Sequence, residues 1–322
     1  MNTITNNLKN KIKNIPNLPG VYKMIDSTGL IIYIGKSISL RKRVMSYFTK
    51  STKWGRIERM VELIDDIEYE LTDTHIEARL LECELIKKIQ PLYNSQYKNH
   101  NKYLYLKVND YNIHNPLSVS YSRVENSFGP YRNRSGIRAL VDSLKNIYPI
   151  KKVHGKYKIS YNLIPKSMDK FTFNINKNIL LEILTDNRKL KEFIYEVEKK
   201  MKEESSHLKF ETAFYYRNII TWLDYIYNSE FNKKNMLTRD IVLGLPIDGG
   251  IKLFYIKKGL IVSKEKHEKI NQMIINDFIK RSETIKLDYD VNIYEKGILD
   301  FQDILFSEIK TLPEESVLIR RD

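Results

Sequence analysis

Short apolar stretches that alternate with polar turns organise the first hundred residues. Residues 20–25 (GVYKMI) and 30–35 (LIIYIG) flank Asp26-Ser27-Thr28-Gly29, a pattern that predicts two strands joined by a tight turn. From Ser39, a helix N-cap, SLRKRVMSYF places Leu40, Val44 and Tyr47 on one helical face and Arg41, Lys42 and Arg43 around the other. Residues 56–64 predict a second helix and DIEYELT a third strand. In residues 74–90, Ile76, Leu80, Leu81, Leu85 and Ile89 recur at helical spacing until Pro91 stops the pattern.

Further on, strands are predicted near 103–108 and 117–124, a loop at Phe128-Gly129-Pro130-Tyr131, and a helix over 135–147. A Lys/Tyr-rich stretch without clear period runs to about residue 175. Residues 177–228 are helical in two halves, broken near Ser205-Ser206-His207, as in a helical hairpin. DIVLGLP and GIKLFYIKKGLIVSK then predict strands, with a tight hairpin at Lys257-Lys258-Gly259, before an amphipathic helix over 267–281. The fold class is α+β in four segments: a mixed α/β domain with a central antiparallel sheet over 1–110, a connector over 111–175, a helical hairpin over 176–230 and a small α+β region over 231–322.

Charge changes this picture because it is uneven. The 322-residue chain carries a formal +14. Residues 1–60 hold 12 Lys/Arg against 2 Asp/Glu, residues 61–110 hold 6 against 10, and residues 111–170 hold 11 against 3, whereas residues 171–322 hold 25 of each. A Lys-rich codon bias alone would not leave the second half neutral, so the basic half predicts a polyanionic partner. The one cysteine, Cys83, excludes an intramolecular disulfide and any multi-cysteine metal site, and fits a reducing cytoplasm. The six histidines are scattered without ligand spacing, which argues against zinc. No long apolar run and no apolar core near the N-terminus occur, so no membrane association and no export are expected.

Five features in the first hundred residues belong together: Gly20-Val21-Tyr22, Tyr33-Ile34-Gly35-Lys36, the helix face from Arg41 to Tyr47, Glu82 on the long helix, and Tyr93-Asn94 after it. In spacing and order they resemble the GIY-YIG nucleases. More narrowly, PGVYKM, YIGKSISLRKRVMSYF, TDTHIEARLLECELIKKIQPLYN and FGPY resemble the UvrC family of excision nucleases over roughly residues 18–150. Four separated blocks in register are specific, where a lone Y-x-G would not be.

Hydrolysis of a phosphodiester requires a proton acceptor for water, positive charge on the scissile phosphate and help for the leaving oxygen. The resemblance makes Glu82 the ligand of one Mg²⁺ or Mn²⁺ ion, for which a carboxylate oxygen is suited, while Glu77 and Glu84 read as solvated helix residues. It makes Tyr33 the general base. A free phenol titrates near ~10, so its anion needs roughly 4 kcal/mol of stabilisation at neutral pH and cations nearby. Lys36 and Arg43 match positions that supply such charge, Tyr22 and Tyr47 match tyrosines that orient water or phosphate, and Asn94 matches an asparagine near the phosphate, although it also suits a turn after Pro91. The glycines Gly20 and Gly35 allow close approach of backbone or substrate. Arg41, Lys42, Lys50, Lys53 and Arg56 form a phosphate-tracking surface that positions DNA without reading sequence.

A second block, MKEESSHLKFETAFYYRNII over residues 201–220, resembles the UVR motif shared by the excision-repair proteins UvrB and UvrC. It implies docking to UvrB through Leu208, Phe210, Glu211 and Arg217, and indirectly to UvrA, on damaged double-stranded DNA. Two departures stand out: Tyr148-Pro149-Ile150-Lys151-Lys152-Val153 appears where the family carries a cysteine cluster, so no iron-sulfur cluster is expected, and Asn99-His100-Asn101-Lys102 replaces its acidic block. No RNase H-like nuclease or helix-hairpin-helix module is expected after residue 239, leaving a single incision on the 3′ side of a lesion. Alternatives are a free-standing GIY-YIG nuclease of the restriction or mobile-element type and a non-catalytic DNA- and partner-binding adaptor.

Overall fold

The computed structural model describes residues 6–49, 55–97, 103–112, 114–285 and 296–321, which fall into two compact units. One unit joins residues 1–100 to 236–322; the other comprises residues 101–235.

The first unit opens with a helix, α1 (Asn6–Asn14), that the polar N-terminal pattern does not announce; its buried Leu8 and Ile12 and the Lys11–Asp66 ion pair, 2.6 Å, anchor it. The hairpin β1 (Gly20–Ile25) and β2 (Ile31–Ser37) follows as expected. Its turn is fixed by Asp26, whose Oδ1 accepts from the backbone N–H of Thr28 and Leu30, and by Gly29 at φ 83°. Helices α2 (Leu40–Phe48) and α3 (Arg56–Glu62) precede β3 (Asp66–Leu71), which pairs with β1 to give the antiparallel order β2-β1-β3. Next comes the long helix α4 (His75–Ile89). Thr74 caps its start, with a reciprocal hydroxyl bond to Glu77, and Gln90 closes it in the left-handed region before Pro91.

The second unit contains the sheet β5-β4-β6, built from β4 (Leu104–Val108), β5 (Leu117–Ser120) and β6 (Ser127–Tyr131). The Phe128 to Tyr131 segment, expected as a loop, is therefore an edge strand. Helix α5 (Arg134–Leu144) leads to a short hairpin, β7 (Lys151–Val153) with β8 (Lys156–Lys158), inside the stretch that lacks a period. Three helices follow rather than two halves: α6 (Lys170–Thr185), α7 (Asn187–Ser206) and α8 (Phe210–Tyr227). The extra break lies at Asp186, whose carboxylate caps the backbone of Arg188 and Lys189. The α7–α8 break near residue 207 falls where expected.

After α9 (Lys233–Thr238), the chain returns to the first unit with β9 (Asp240–Ile247), β10 (Gly250–Lys257), β11 (Leu260–His267), α10 (Gln272–Glu283), α11 (Lys296–Thr311) and β12 (Val317–Arg321). The strands form one antiparallel sheet, β11-β10-β9-β12, and its β10–β11 hairpin turns at Lys258 and Gly259, both at positive φ. Helix α10 covers one face through Phe278 and Ile279, and Leu305 of α11 with Ile76 of α4 covers the other. Helix α4 is thus shared. Its Cys83 and Ile86 also pack on Val21 and Ile34 of the first sheet, with Ile304 of α11.

Candidate active site

The first sheet carries the candidate residues because alternation sends its side chains to two different layers. Tyr22 and Tyr33 point to the layer of α2, where Tyr47 joins them, with ring centroids 6.0–6.1 Å apart. The hydroxyls of Tyr22 and Tyr47 are 2.9 Å apart, and Tyr47 donates to Tyr33 at 3.4 Å. Arg43, one turn before Tyr47, lays its guanidinium 5.0 Å from the Tyr47 ring centroid. Gly35 is the cross-strand partner of Tyr22, and a Cβ there would collide with the Tyr22 hydroxyl. The close approach this glycine allows is that of a tyrosine ring.

The other candidates meet at the open edge of β2. An edge strand presents backbone groups that need partners. Here the N–H of Ile34 donates to Asn94 Oδ1 at 2.9 Å, Asn94 Nδ2 returns a bond to the Ile34 carbonyl at 2.7 Å, and the N–H of Lys36 donates to Glu82 Oε1 at 3.2 Å. Asn94 is buried and clamps the strand between Tyr33 and Gly35. Glu82 is fixed beside Lys36 by a bond that any residue at position 36 other than proline could make; the Lys36 side chain goes elsewhere, to His75 Nε2 at 2.8 Å.

Electrostatics distinguishes these groups. Burial pushes the Glu82 carboxyl above its ordinary range, against the opposing pull of the Lys36 N–H, Lys36 and Arg79. Glu82 forms no ion pair within 4 Å among the described residues. A half-buried carboxylate that makes no ion pair within 4 Å among the described residues and acts electrostatically on Tyr33 fits one hard divalent cation, in agreement with the expected Mg²⁺ or Mn²⁺. Burial also raises Tyr33, reinforced by Tyr47 and Glu82, while Arg43 pulls it down. Tyr22 rises for the same first reason. The protein's own groups therefore do not supply the stabilisation that a Tyr33 anion requires. Burial lowers Lys36.

The expected DNA surface is only partly described. Arg41 Nε bonds the Ile15 carbonyl at 2.6 Å, Lys42 is exposed, and Arg56 bonds the Leu92 carbonyl at 2.8 Å. Lys50 and Lys53 lie outside the described residues, as do residues 99–102. In the second unit, Leu208, Phe210, Glu211 and Arg217 are all exposed. Met201, Phe210, Phe214 and Arg217 contribute to a groove of about 720 Å³, and the Arg217 guanidinium stacks 4.8 Å from the Phe214 ring centroid.

Three polar residues near the site, His75, Arg79 and Glu308, are missed by sequence reasoning. His75, Arg79 and Glu82 share one face of α4, a signal that helical spacing contains. Glu308 of α11, which binds both His75 and Arg79, lies more than 200 positions away and leaves no local sign. Glu77 also departs from expectation: it is buried and holds Lys252 at 2.6 Å and Lys264 at 2.9 Å.

The sheet, its edge and the tyrosine cluster define a GIY-YIG domain, and residues 18–95 match the family described as UvrC-like GIY-YIG domain. Over longer stretches, the chain is 30% identical to UvrABC system protein C of Acetivibrio thermocellus, covering 80% of this chain and 44% of that protein. It is also 30% identical to the Alkaliphilus oremlandii protein of that name, covering 85% and 48%. The Caldicellulosiruptor saccharolyticus protein is 28% identical, covering 97% and 52%. The chain is a UvrC-like protein that spans about half the length of the curated relatives it matches. A crystal structure of the GIY-YIG N-terminal endonuclease domain of UvrC from Thermotoga maritima, bound to its catalytic magnesium, is 36% identical; it covers 28% of this chain and 99% of that one, with a TM-score of 0.26. No helix among the described residues is long and apolar enough to cross a membrane.

Proposed function

We propose that the chain is a metal-dependent DNA endonuclease of nucleotide excision repair, acting in the cytoplasm, which hydrolyses one phosphodiester on the 3′ side of a lesion. The observation that carries this reading is the juxtaposition at β2 of three linked phenols, the cation Arg43 and a carboxylate, Glu82, that has no ion pair among the described residues. Glu82 would hold a divalent ion, which would supply the positive charge that the phosphate and the Tyr33 oxygen lack. With that charge present, the Tyr33 anion takes a proton from the attacking water. The water oxygen bonds to phosphorus as the bond to the leaving deoxyribose oxygen breaks, and that oxygen takes a proton from solvent. Tyr47 and Tyr22 hold Tyr33 and the water in line, Arg43 and Lys36 offset charge on the phosphate, and Asn94 keeps β2 in register. Arg41, Lys42, Lys50, Lys53 and Arg56 carry the flanking phosphates.

Docking to UvrB, and through it to UvrA on damaged duplex DNA, is assigned to Leu208, Phe210, Glu211 and Arg217, supported by their exposure beside an apolar groove. The test is a nicking assay on a duplex carrying one defined lesion, with Mg²⁺ or Mn²⁺ and with or without UvrA and UvrB. Cutting should require the metal and both partner proteins and should fall at least about a thousandfold in Glu82→Ala. Equal cutting by variant and wild type would refute the assignment, and undiminished cutting of undamaged DNA without partners would favour a free-standing nuclease.

A further inference from the structure

On a helix, residues three apart are neighbours, so Arg79 stands where an arginine can pair with Glu82. Lys36 is a neighbour too, since its backbone N–H bonds that carboxylate. Neither cation pairs with it. Arg79 Nη1 donates instead to the Glu308 carboxylate and, at 2.9 Å, to Ser307 Oγ. The Lys36 Nζ contacts His75 Nε2 at 2.8 Å, and His75 Nδ1 lies 3.2 Å from Glu308. An ammonium only donates, so Nε2 accepts from Lys36 and the Nδ1–H donates to Glu308. One carboxylate of α11 thereby engages Arg79 directly and Lys36 through the imidazole. Its side chain is 12% exposed and is seated by the buried Ile304 and Leu305 of the same helix. Hydrogen bonding from His75 and Arg79 outweighs burial and holds the Glu308 carboxyl at about 2, so it stays charged.

We propose that Glu308 is a positioning residue that keeps Glu82 available to a divalent cation by drawing away the two side chains that would otherwise neutralise it. The proposal rests on the reading of Glu82 as the metal ligand. It gives the C-terminal region of this unit a task at the nuclease site: α11 supplies the competing anion. Removing that anion releases Arg79 to turn one helical position toward Glu82, where it competes with the metal for the same oxygens.

The test is calorimetric titration of the intact chain with Mn²⁺, alongside circular-dichroism melts. Wild type, Glu82→Ala, Glu308→Gln, Arg79→Leu and the double variant Glu308→Gln/Arg79→Leu are compared. Mn²⁺ binding should be lost in Glu82→Ala and weakened about fivefold in Glu308→Gln, a change in the range of an ion pair between partly exposed groups. Binding should be at least as tight as wild type in Arg79→Leu, and it should return toward wild type in the double variant. Unchanged binding in Glu82→Ala overturns the reading of the metal ligand. Loss in Glu82→Ala with undiminished binding in Glu308→Gln overturns the role of Glu308 alone. So does weakened binding that the double variant fails to restore, since general loosening of the helix contact would not be reversed by removing Arg79.

Discussion

The ring of Tyr22 lies across the α-carbon of Gly35, its partner on the neighbouring strand, and the Tyr22 hydroxyl reaches from there to Tyr47. The glycine of the YIG block is thus a socket for the tyrosine of the other block, and one alteration tests both. Gly35→Ala places a Cβ on the Tyr22 hydroxyl and forces the ring out of line. Misplacement on the order of 1 Å costs about a hundredfold in rate, so nicking should fall by about that factor, and because Tyr22 is buried the melting temperature should fall as well. Gly35→Ala combined with Tyr22→Ala should regain lost stability without regaining activity. Full activity in Gly35→Ala, measured on a lesion-bearing duplex, would contradict the socket.

Burial raises the Glu82 carboxyl, and the sign of its pH linkage follows. The folded protein binds this proton more tightly than the unfolded chain, so the contribution of Glu82 to stability is present at low pH and is lost as pH rises from the ordinary carboxylate value through the folded one. A divalent cation on the ionised group reverses that loss. The rise in melting temperature caused by Mg²⁺ should therefore be small near the ordinary carboxylate value, roughly pH 4.3, and grow toward neutrality, and Glu82→Gln should melt higher than wild type in the absence of metal at neutral pH. Melts from the carboxylate range to neutrality, with and without Mg²⁺, measure both. A metal effect independent of pH would exclude Glu82 as the ligand.

Lys252 is buried between two carboxylates, with Asp73 at 2.5 Å and Glu77 at 2.6 Å. Burial alone would raise Glu77, but hydrogen bonds from Lys252 and Lys264 hold it below its ordinary value. The stability this gives is present above the ordinary carboxylate value and is lost as pH falls through the lowered one. Lys252→Ala leaves Glu77 with the more exposed Lys264 and Asp73 with the more exposed Lys266, and should cost about 2 kcal/mol in urea denaturation, whereas Lys252→Met with Glu77→Leu should cost far less. Equal losses would show that the charges do not act as a pair.

These contacts also explain what the sequence conveys and what it hides. Strand alternation at Tyr22, Tyr33 and Gly35 and helical spacing at Leu40, Val44 and Tyr47 are local, so the first sheet and α2 are legible in full. Glu77 looks like a solvated helix residue because its partner Lys252 is 175 positions away, and Glu308 is invisible as a neighbour of His75 for the same reason. The Phe128 to Tyr131 segment contains Gly and Pro, which usually mark loops, yet it sits at the edge of a sheet, where a missing N–H costs little. At Asp186 the apolar period continues across a break made by one capping carboxylate, so pattern alone joins α6 to α7.

The α7–α8 turn leaves Leu208 74% and Phe210 62% exposed, an expensive arrangement for a free surface beside a groove lined by Met201 and Phe214. Neither side chain supports the core of the second unit, which is built from residues such as Phe193, Val197, Tyr216 and Ile219. Leu208→Ala and Phe210→Ala should therefore leave the melting temperature nearly unchanged, and together they should weaken binding to UvrB by about tenfold or more, since buried aromatic anchors dominate interface energies. Arg217→Ala should add to that loss by unseating Phe214. Surface-plasmon measurements with immobilised UvrB would read these changes. A double variant that binds as tightly as the wild type would remove the hairpin from the docking role and leave its exposed apolar residues without a task.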